Sequence, residues 1–265
     1  MLVFPRRMQE SMKIKILGCS GGIGPGLRTT SLLIDDHVLL DAGTGVGDLS
    51  LARMARITDV LITHSHLDHV CGLALLVDVL FDRIDRPLRV HATAETIATL
   101  RAHLFNWLLW PDFNQLPSAS APRLVYETLA PQVPRVIGRI KATAFDVLHT
   151  VPGVGYSIDA GGAVFVFTGD TYADDRIWTY LNALPRLDYL MIEVSFVDAE
   201  TEIGRLSRHF TPALLGQELK KLRHRPQLLL THHKPGSERA IARECVDALR
   251  GWSYRHLKRG DTIEF

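Results

Sequence analysis

Runs of apolar residues with the length of β-strands recur along the chain, and turn-forming residues separate them. These runs cover residues 12–17, 31–34, 37–41, 59–63, 88–92, 136–149, 163–169, 188–194 and 227–231. Helical periodicity covers residues 46–56, 69–83, 93–105, 174–184, 211–223 and 237–250. The early strands come in hairpin-like pairs, whereas the later strands alternate with helices. This order predicts an α/β fold in which mixed sheets carry helices on their outer faces.

The chain of 265 residues is long enough for one large hydrophobic core, and we expect a single domain over residues 12–265. Residues 1–11 are interpreted as a loose N-terminal extension. Residues 84–135 have the least regular pattern, because prolines and an aromatic stretch at 104–113 interrupt any clean period. We therefore consider this segment as a cap over a site.

Composition restricts the class of partner. Hydrophobic residues make up 46% of the chain and charged residues 22%, and the formal net charge is +1. A charge this close to zero favours a small-molecule substrate over a nucleic acid. The three isolated cysteines predict reduced thiols and a cytoplasmic location rather than a disulfide framework. We expect no membrane association, because no apolar stretch approaches the length of a signal peptide or a membrane span.

A cluster of metal-binding side chains follows the apolar run at 59–63. His64, His66, Asp68 and His69 fall within six consecutive positions. Side chains two residues apart point to the same side of an extended chain, so His64 and His66 are placed to bind one ion. Asp68 and His69 remain for a second ion. Imidazole and carboxylate ligands favour zinc, with manganese or iron as alternatives, and a solvated polar turn is the competing interpretation.

Three further polar residues stand at the ends of apolar strands, namely His149, Asp170 and His232. Each alone also fits a structural role, since any strand can end in a polar residue. Together they fit a two-metal site. Asp170 has two carboxylate oxygens and can bridge the ions, while His149 and His232 complete one ion each.

A glycine-rich stretch, residues 18–26, follows the first strand and raises the question of phosphate binding. Its spacing lacks the dinucleotide-binding glycine pattern and the lysine of the P-loop, and a strand follows it instead of a helix. A flexible turn between strands is the favoured interpretation.

The ligand candidates stand in a pattern that resembles the metallo-β-lactamase superfamily. The pattern comprises His64-Ser-His66-Leu-Asp68-His69, Asp41 in Leu-Leu-Asp-Ala-Gly, Gly169-Asp170-Thr171 and Thr231-His232. The resemblance covers about residues 12–235 and implies an αβ/βα sandwich with two divalent metal ions. The implied ligand sets are His64, His66 and His149 for one ion and Asp68, His69 and His232 for the other, with Asp170 between them. Asp41 is implied to orient a histidine ligand.

Further stretches resemble the class II cyclic-nucleotide phosphodiesterase branch of that superfamily. They are Glu193-Val-Ser-Phe196, the segment from His209 to Pro212, the aromatic stretch from His103 to Phe113, and Thr231-His-His-Lys-Pro235. Two features depart from the branch pattern. Ser207-Arg208 replaces the glycine position before His209, and Trp107 lies inside the aromatic stretch. These departures concern nucleotide specificity more than the chemistry.

This resemblance implies hydrolysis of a 3′,5′-cyclic nucleotide, with cyclic AMP as the first choice, to the 5′-monophosphate by a hydroxide bound to two metal ions. Asp68 would orient the hydroxide as well as bind metal. Glu193 is costly to bury without a partner, and His209 is the natural candidate. The pair would protonate the departing 3′ oxygen, and Asn106 would hydrogen-bond the base.

Alternatives remain open at this point. Glu193 and His209 also fit a structural pair next to a helix, and the aromatic residues of 104–113 also fit a hydrophobic core or a dimer contact. A tRNA 3′-processing endonuclease of the same superfamily uses the same two residue types, although the near-neutral charge argues against it. A metal-loaded binding or sensor protein without catalysis is a third possibility. A homodimer is compatible with each of them.

Overall fold

The computed structural model describes residues 11–265, in which two β-sheets and seven α-helices are present. The predicted N-terminal extension lies outside the described residues, except for Ser11. The strands are β1 (Lys13–Gly18), β2 (Ser31–Ile34), β3 (Val38–Leu40), β4 (Asp59–Leu61), β5 (Leu88–Ala92), β6 (Leu124–Thr128), β7 (Arg135–Ile137), β8 (Ile140–Val147), β9 (Gly153–Asp159), β10 (Val164–Phe167), β11 (Tyr189–Glu193), β12 (Gln227–Thr231), β13 (Tyr254–His256) and β14 (Thr262–Glu264). The helices are α1 (Leu51–Met54), α2 (Leu67–Leu80), α3 (Ala94–His103), α4 (Asp175–Ala183), α5 (Thr201–Ser207), α6 (Pro212–Glu218) and α7 (Glu238–Ala248).

Each sheet has seven strands and mixes antiparallel with parallel pairing. The first sheet has the order β14-β1-β2-β3-β4-β5-β6, and the second has the order β13-β12-β11-β10-β9-β8-β7. Pairing is antiparallel from β14 to β3 and from β7 to β10. It is parallel from β3 to β6 and from β10 to β13. The parallel parts are those in which helices connect successive strands.

Alternating side chains of the strands fill different layers. On β2, Leu32 and Ile34 belong to the core between the sheets, whereas Leu33 faces the helices on the outer side. On β12, Leu229 lies in the inner core, and its neighbours Leu228 and Leu230 pack against the helices of the second sheet. A strand buried on both faces has no polar alternation, which is why these runs are continuously apolar in sequence.

The outer layers complete a four-layer arrangement. Val70, Leu73 and Val77 of α2 belong to the apolar cluster on the first sheet. Ile177 of α4 and Ile241 of α7 belong to the cluster on the second sheet. The predicted αβ/βα sandwich is confirmed. None of the described helices combines the length and the apolar character that crossing a bilayer demands.

Several elements differ from the prediction. The run 136–149 is a hairpin of β7 and β8 rather than one strand, because Gly138 adopts a left-handed backbone (φ 57°) between them. β6, β9, β13 and β14 were not predicted, nor was α5. β13 and β14 have three residues each and lie at sheet edges, so little apolar surface marks them in the sequence.

Segment 84–135, considered above as a cap, supplies β5, α3 and β6 to the first sheet and its outer layer. Residues 104–123 lie between α3 and β6 and form neither helix nor strand. Phe105 and Phe113 are buried in the apolar cluster on the first sheet, whereas Leu108 is almost fully exposed.

Candidate active site

The loop between β4 and α2, together with the first turn of α2, carries four of the predicted ligands. β4 ends at Leu61, so His64 and His66 lie in extended loop rather than in the strand. The backbone of His66 is also extended where it precedes the first residue of α2. His69 lies in the first turn of that helix. The ring centroid of His64 is 4.7 Å from that of His66 and 4.2 Å from that of His69.

The second sheet supplies the other three predicted ligands. His149 follows β8, Asp170 follows β10, and His232 follows β12. β10 and β12 run in the same direction, and β8 shares it because two antiparallel pairings separate β8 from β10. Their carboxyl ends therefore meet at one edge of the sheet. All three side chains are buried.

These side chains form two groups in which the possible ligand atoms lie within 4.8 Å of one another. The groups are His64, His66, His149 and Asp170, and Asp68, His69, Asp170 and His232. Asp170 belongs to both groups, whose membership matches that of the predicted ligand sets. One of its oxygens lies 3.9 Å from Nε2 of His64 and 3.2 Å from Nε2 of His232, and the other lies 3.3 Å from Nε2 of His69.

The donor set suits a divalent metal ion. The Nε2 atoms of His64 and His69 are buried and have no hydrogen-bond partner among residues 11–265. A buried nitrogen without a partner is costly, and a bound cation would use its lone pair. Burial, together with the neighbouring His69, lowers the pKa of His64 well below its usual range. The neutral imidazole that results is the form that binds metals.

Asp41 fixes the orientation of His69. The Nδ1–H of His69 donates to Oδ2 of Asp41 over 2.7 Å, which directs Nε2 towards the other ligand candidates. Asp41 is fully buried and has a left-handed backbone (φ 56°). The backbone N–H and the hydroxyl of Thr63 also donate to it, each over 2.8 Å. The structure thus brings Asp41 against a histidine of the predicted set.

The carboxylates concentrate negative charge at the centre of the cluster. Burial alone would raise the pKa of Asp170, but His232 and His69 outweigh it and hold that pKa well below the usual range. Burial would lower the pKa of His69, but Asp170 and Asp41 outweigh it and raise that pKa well above the usual range. The cluster therefore favours positive charge, whether it comes from a proton or from a metal ion.

Glu193 and His209 form a buried pair next to the cluster. Oε1 of Glu193, at the end of β11, accepts the Nδ1–H of His209 over 2.8 Å. The ring of His209 lies 5.1 Å from the ring of His149 and 5.1 Å from that of His232, measured between centroids. Burial would lower the pKa of His209, but Glu193 outweighs it and raises that pKa. The pair can therefore hold a proton beside the ligand candidates.

Sequence reasoning assigned no role to two hydroxyl residues that hold these side chains. The hydroxyl of Ser195 donates to Oε2 of Glu193 over 2.7 Å and lies 3.0 Å from Nδ1 of His232. The hydroxyl of Thr63 lies 3.0 Å from Nδ1 of His64. Ser195 stands in the Glu-Val-Ser-Phe motif, and Thr63 directly precedes the histidine cluster. Their positions in or beside these motifs were the sequence signals that could have identified both residues.

Asn106 makes only local hydrogen bonds among the described residues. Its amide donates to the carbonyl of Ala102 over 2.9 Å, and its side-chain oxygen accepts from the backbone N–H groups of Leu108 and Leu109. These bonds stabilise the turn after α3. Within residues 11–265, Asn106 makes no hydrogen bond to a metal-ligand candidate.

A protein-family model described as a β-lactamase superfamily domain matches residues 36–233. The match covers more than half of the chain and includes all seven predicted metal ligands. The protein belongs to the metallo-β-lactamase superfamily. As a member of this superfamily it is a metallo-hydrolase, and several of its relatives are named phosphodiesterases.

The relatives of this chain include proteins named cyclic-nucleotide phosphodiesterase and proteins named ribonuclease Z. The chain is 28% identical over 264 aligned positions to a Yersinia pestis protein named probable 3′,5′-cyclic-nucleotide phosphodiesterase, an alignment that covers 83% of this chain and 75% of the relative. It is 34% identical over 271 positions to ribonuclease Z of Thermobifida fusca, which covers 84% of each chain. The structure of unliganded yeast PDE1 superposes with a TM-score of 0.81 at 19% identity, covering 97% of this chain and 100% of that one. At that identity the superposition supports the fold alone.

Proposed function

We propose that this metallo-hydrolase is a phosphodiesterase that converts a 3′,5′-cyclic nucleotide, with cyclic AMP as the preferred substrate, to the 5′-monophosphate. The observation that carries the proposal is the buried Glu193–His209 pair beside two groups of ligand candidates that share Asp170. The name of the Yersinia pestis relative supports the substrate class. A small substrate also agrees with the near-neutral charge of the chain.

Two divalent ions, zinc in the first instance, are the proposed cofactors. His64, His66 and His149 would hold one ion, Asp68, His69 and His232 the other, and Asp170 both. When bound, the ions supply Lewis-acid stabilisation of the phosphate oxygens and a water of lowered pKa. Asp41, Thr63 and Ser195 keep the imidazoles in place through the hydrogen bonds described above.

His209 is the proposed proton donor to the 3′ oxygen of the ribose. Because Nδ1 of His209 is bonded to Glu193, Nε2 is the atom left to deliver the proton. Burial would lower the pKa of the imidazole, but Glu193 outweighs it and raises that pKa, which favours the protonated form that a proton donor needs. An alkoxide is a poor leaving group, and protonation at this atom removes the need to expel it as an anion.

Asp68 is the proposed orienting group for the attacking water. Its side chain is 30% exposed, whereas those of Asp170 and His232 are almost fully buried. Burial would raise the pKa of Asp68, but the hydrogen bond from His232 outweighs it and the pKa lies well below the usual range. An ionised carboxylate at the open side of the cluster can accept a hydrogen bond from the water.

A second candidate function is tRNA 3′ processing. The observation that favours it is the 34% sequence identity between this chain and the ribonuclease Z of Thermobifida fusca. Cleavage of a polynucleotide needs a surface that neutralises several phosphates, and binding then weakens steeply with salt. The chain has 30 basic and 29 acidic residues, so any such surface would have to come from local segregation of charge.

One assay distinguishes the two candidates and also tests for catalysis. The zinc- or manganese-loaded protein is incubated with cyclic AMP, cyclic GMP, bis-p-nitrophenyl phosphate and a tRNA precursor, and products are separated by chromatography. We expect a 5′-monophosphate from a cyclic nucleotide. Cleavage of the tRNA precursor without conversion of either cyclic nucleotide would favour ribonuclease activity. Inactivity on all four would favour the non-catalytic metal-binding alternative.

We also propose a cytoplasmic location. Cys19, Cys71 and Cys245 are free thiols, and burial together with Asp261 raises the pKa of Cys19 to about 12. Burial likewise raises the pKa of Cys245 to about 12. Such thiols are unreactive and are typical of structural cysteines in a reducing compartment.

A further inference from the structure

A cavity of about 780 Å³ lies beside the candidate active site and contains none of the seven ligand candidates. The glycine-rich segment after β1, the start of α7 and the residues after β13 surround it. Its size falls within the range of small-molecule sites, which is about 300–1,000 Å³. The function proposed above leaves this cavity without a role.

The charged residues of the cavity wall are mostly basic. Arg28, Arg239, Lys258 and Arg259 line it, and Glu238 is the acidic residue among its lining residues. Arg28 and Arg259 both bind Asp48, over 3.2 Å and 2.6 Å, so their positions are fixed by one carboxylate. The chain as a whole has a net charge of +1, so this concentration of positive charge is local.

Two of these cations have no side-chain partner in the part of the chain that the structure describes. Among residues 11–265, the side chains of Arg239 and Lys258 have neither an ion pair nor a hydrogen bond, and both are exposed. Glu238 accepts a hydrogen bond from the backbone N–H of Gly236 over 2.9 Å and does not pair with them. They are therefore available to a ligand at the mouth of the cavity.

The rest of the wall is largely apolar. Leu27, Ala242 and Leu257 line it, and Leu257 is buried. His233 is also buried. Its Nδ1 lies 2.6 Å from the carbonyl oxygen of Val194, and its Nε2 lies 2.8 Å from Nδ1 of His256. Both ring nitrogens of His233 thus have partners, so the imidazole lines the cavity without a free hydrogen-bonding group.

The wall between the cavity and the candidate active site is thin. The carbonyl of Cys19 accepts from the backbone N–H of His232 over 2.8 Å, and Gly21 donates to the carbonyl of His233 over 3.0 Å. A Cβ atom at Gly21 would lie 2.5 Å from the carbonyl oxygen of His232, so only glycine allows this approach. The cavity and His232 therefore lie on opposite sides of one layer of backbone.

We propose that this cavity binds a small organic phosphate, with the phosphate at Arg239 and Lys258 and an apolar body against Leu27, Ala242 and Leu257. Arginine and lysine make charge-assisted hydrogen bonds to phosphate oxygens. The apolar wall suits a base or another flat apolar group. The site is separate from the metal-ligand candidates, so the proposal does not depend on which reaction they catalyse.

The test uses equilibrium dialysis of the metal-loaded full chain with AMP, inorganic phosphate and adenosine. Wild type should bind AMP at the cavity, whereas the double variant Arg239→Ala/Lys258→Ala should bind one AMP fewer per chain or show a dissociation constant for the cavity that is at least tenfold higher. Arg243→Ala, an exposed charge change on the same helix, is the matched control and should bind like wild type. Inorganic phosphate and adenosine should each bind more weakly than AMP, since each fills only part of the cavity.

A second variant tests the apolar part of the cavity without a change of charge. Ala242→Trp should fill the space beside Leu257 and weaken AMP binding at least tenfold, with a melting temperature that shows a folded chain. Unchanged AMP binding in both cavity variants would overturn the proposal. So would an equal loss in Arg243→Ala, because that result would indicate a general effect of charge. Binding of inorganic phosphate as tight as that of AMP would overturn the organic character of the ligand.

Discussion

Arg208 and His149 are joined by two hydrogen bonds that run in opposite directions. The guanidinium of Arg208 donates to the carbonyl of His149, and Nδ1 of His149 donates to the carbonyl of Arg208 over 3.3 Å. Arg208 has a left-handed backbone (φ 56°), a conformation that favours glycine. The departure from the family pattern at this position therefore places a side chain where it holds a candidate metal ligand.

This relationship predicts that Arg208→Ala weakens metal binding by about tenfold or more, the usual range for partners that orient ligands. Arg208→Gly relieves the backbone and should show the same loss, because it also lacks the guanidinium. Competition with a chelator of known affinity measures the effect. Arg205→Ala, which loses only an exposed pair with Glu202, is the control. Wild-type affinity in Arg208→Gly would show that only the backbone conformation matters at this position.

The shared position of Asp170 predicts the metal content. Asp170→Ala should lose at least one of two bound ions and nearly all hydrolysis, because both groups of ligand candidates lose an oxygen. Elemental analysis after dialysis gives the ratio of metal to protein. Asp247→Ala, an exposed residue on α7, should keep the wild-type ratio. A full complement of metal in Asp170→Ala would contradict the bridging role.

Much of the fold was predictable because apolar runs determine which segments are buried. Leu228–Leu230 and Leu32–Ile34 are strands with core on both sides, and an uninterrupted apolar run is the direct sign of such a strand. β9 was missed because its sequence begins Gly153-Val-Gly155, and glycines are uncommon inside strands. A tertiary contact explains the glycine at position 155, because the ring of Phe145 occupies the space that a side chain there would need.

For the candidate site, the metal-ligand candidates could be predicted from the sequence, but the hydrogen bonds that hold them could not. Ligand types, their spacing and their positions at strand ends identify the seven residues that the structure brings together. The hydrogen bonds of Ser195 and Arg208 depend on segments far apart in sequence meeting at one edge. No local pattern encodes those bonds. The basic cavity was missed for the same reason, because Arg28, Arg239 and Lys258 belong to three separate segments.

The close packing around Gly155 predicts that a side chain at this position destabilises the fold. A Cβ atom there would lie 2.3 Å from Cζ of Phe145, and this ring is stacked against Tyr180 with centroids 4.4 Å apart. Gly155→Ala should therefore lower the free energy of unfolding by about 1–3 kcal/mol. Urea denaturation measures it. Gly162→Ala, with no atom near its Cβ position, is the matched control and should change the free energy little.

Asp59 predicts a dependence of stability on pH. Burial would raise its pKa, but hydrogen bonds from His91 and Arg89 outweigh it and hold the pKa well below the usual range. A carboxyl whose pKa is lower in the folded state stabilises the fold above its unfolded value of about 3.9, and this contribution is lost as the pH falls further. Asp59→Asn should lower the free energy of unfolding by about 2 kcal/mol at pH 7. This loss is smaller than that expected on breaking a fully buried ion pair, because Arg89 is half-exposed.

The measurement compares urea unfolding of wild type and Asp59→Asn, both with a chelator so that metal release does not contribute. The difference in the free energy of unfolding should be constant above about pH 5 and should shrink below about pH 4. A difference that does not change between pH 7 and pH 3 would show that the ionised carboxylate contributes nothing specific.

The central claim is that His209, held by Glu193, delivers a proton to the leaving oxygen of a cyclic nucleotide. The most direct test compares His209→Ala with wild type on cyclic AMP and on bis-p-nitrophenyl phosphate, with metal content measured in parallel. Hydrolysis of cyclic AMP should fall by about 10²–10⁴, the range for a positioned general acid, while the aryl ester, whose leaving group needs no proton, is spared and metal content stays near that of wild type. Equal loss of both activities together with loss of metal would contradict this account and make His209 a ligand or a structural residue.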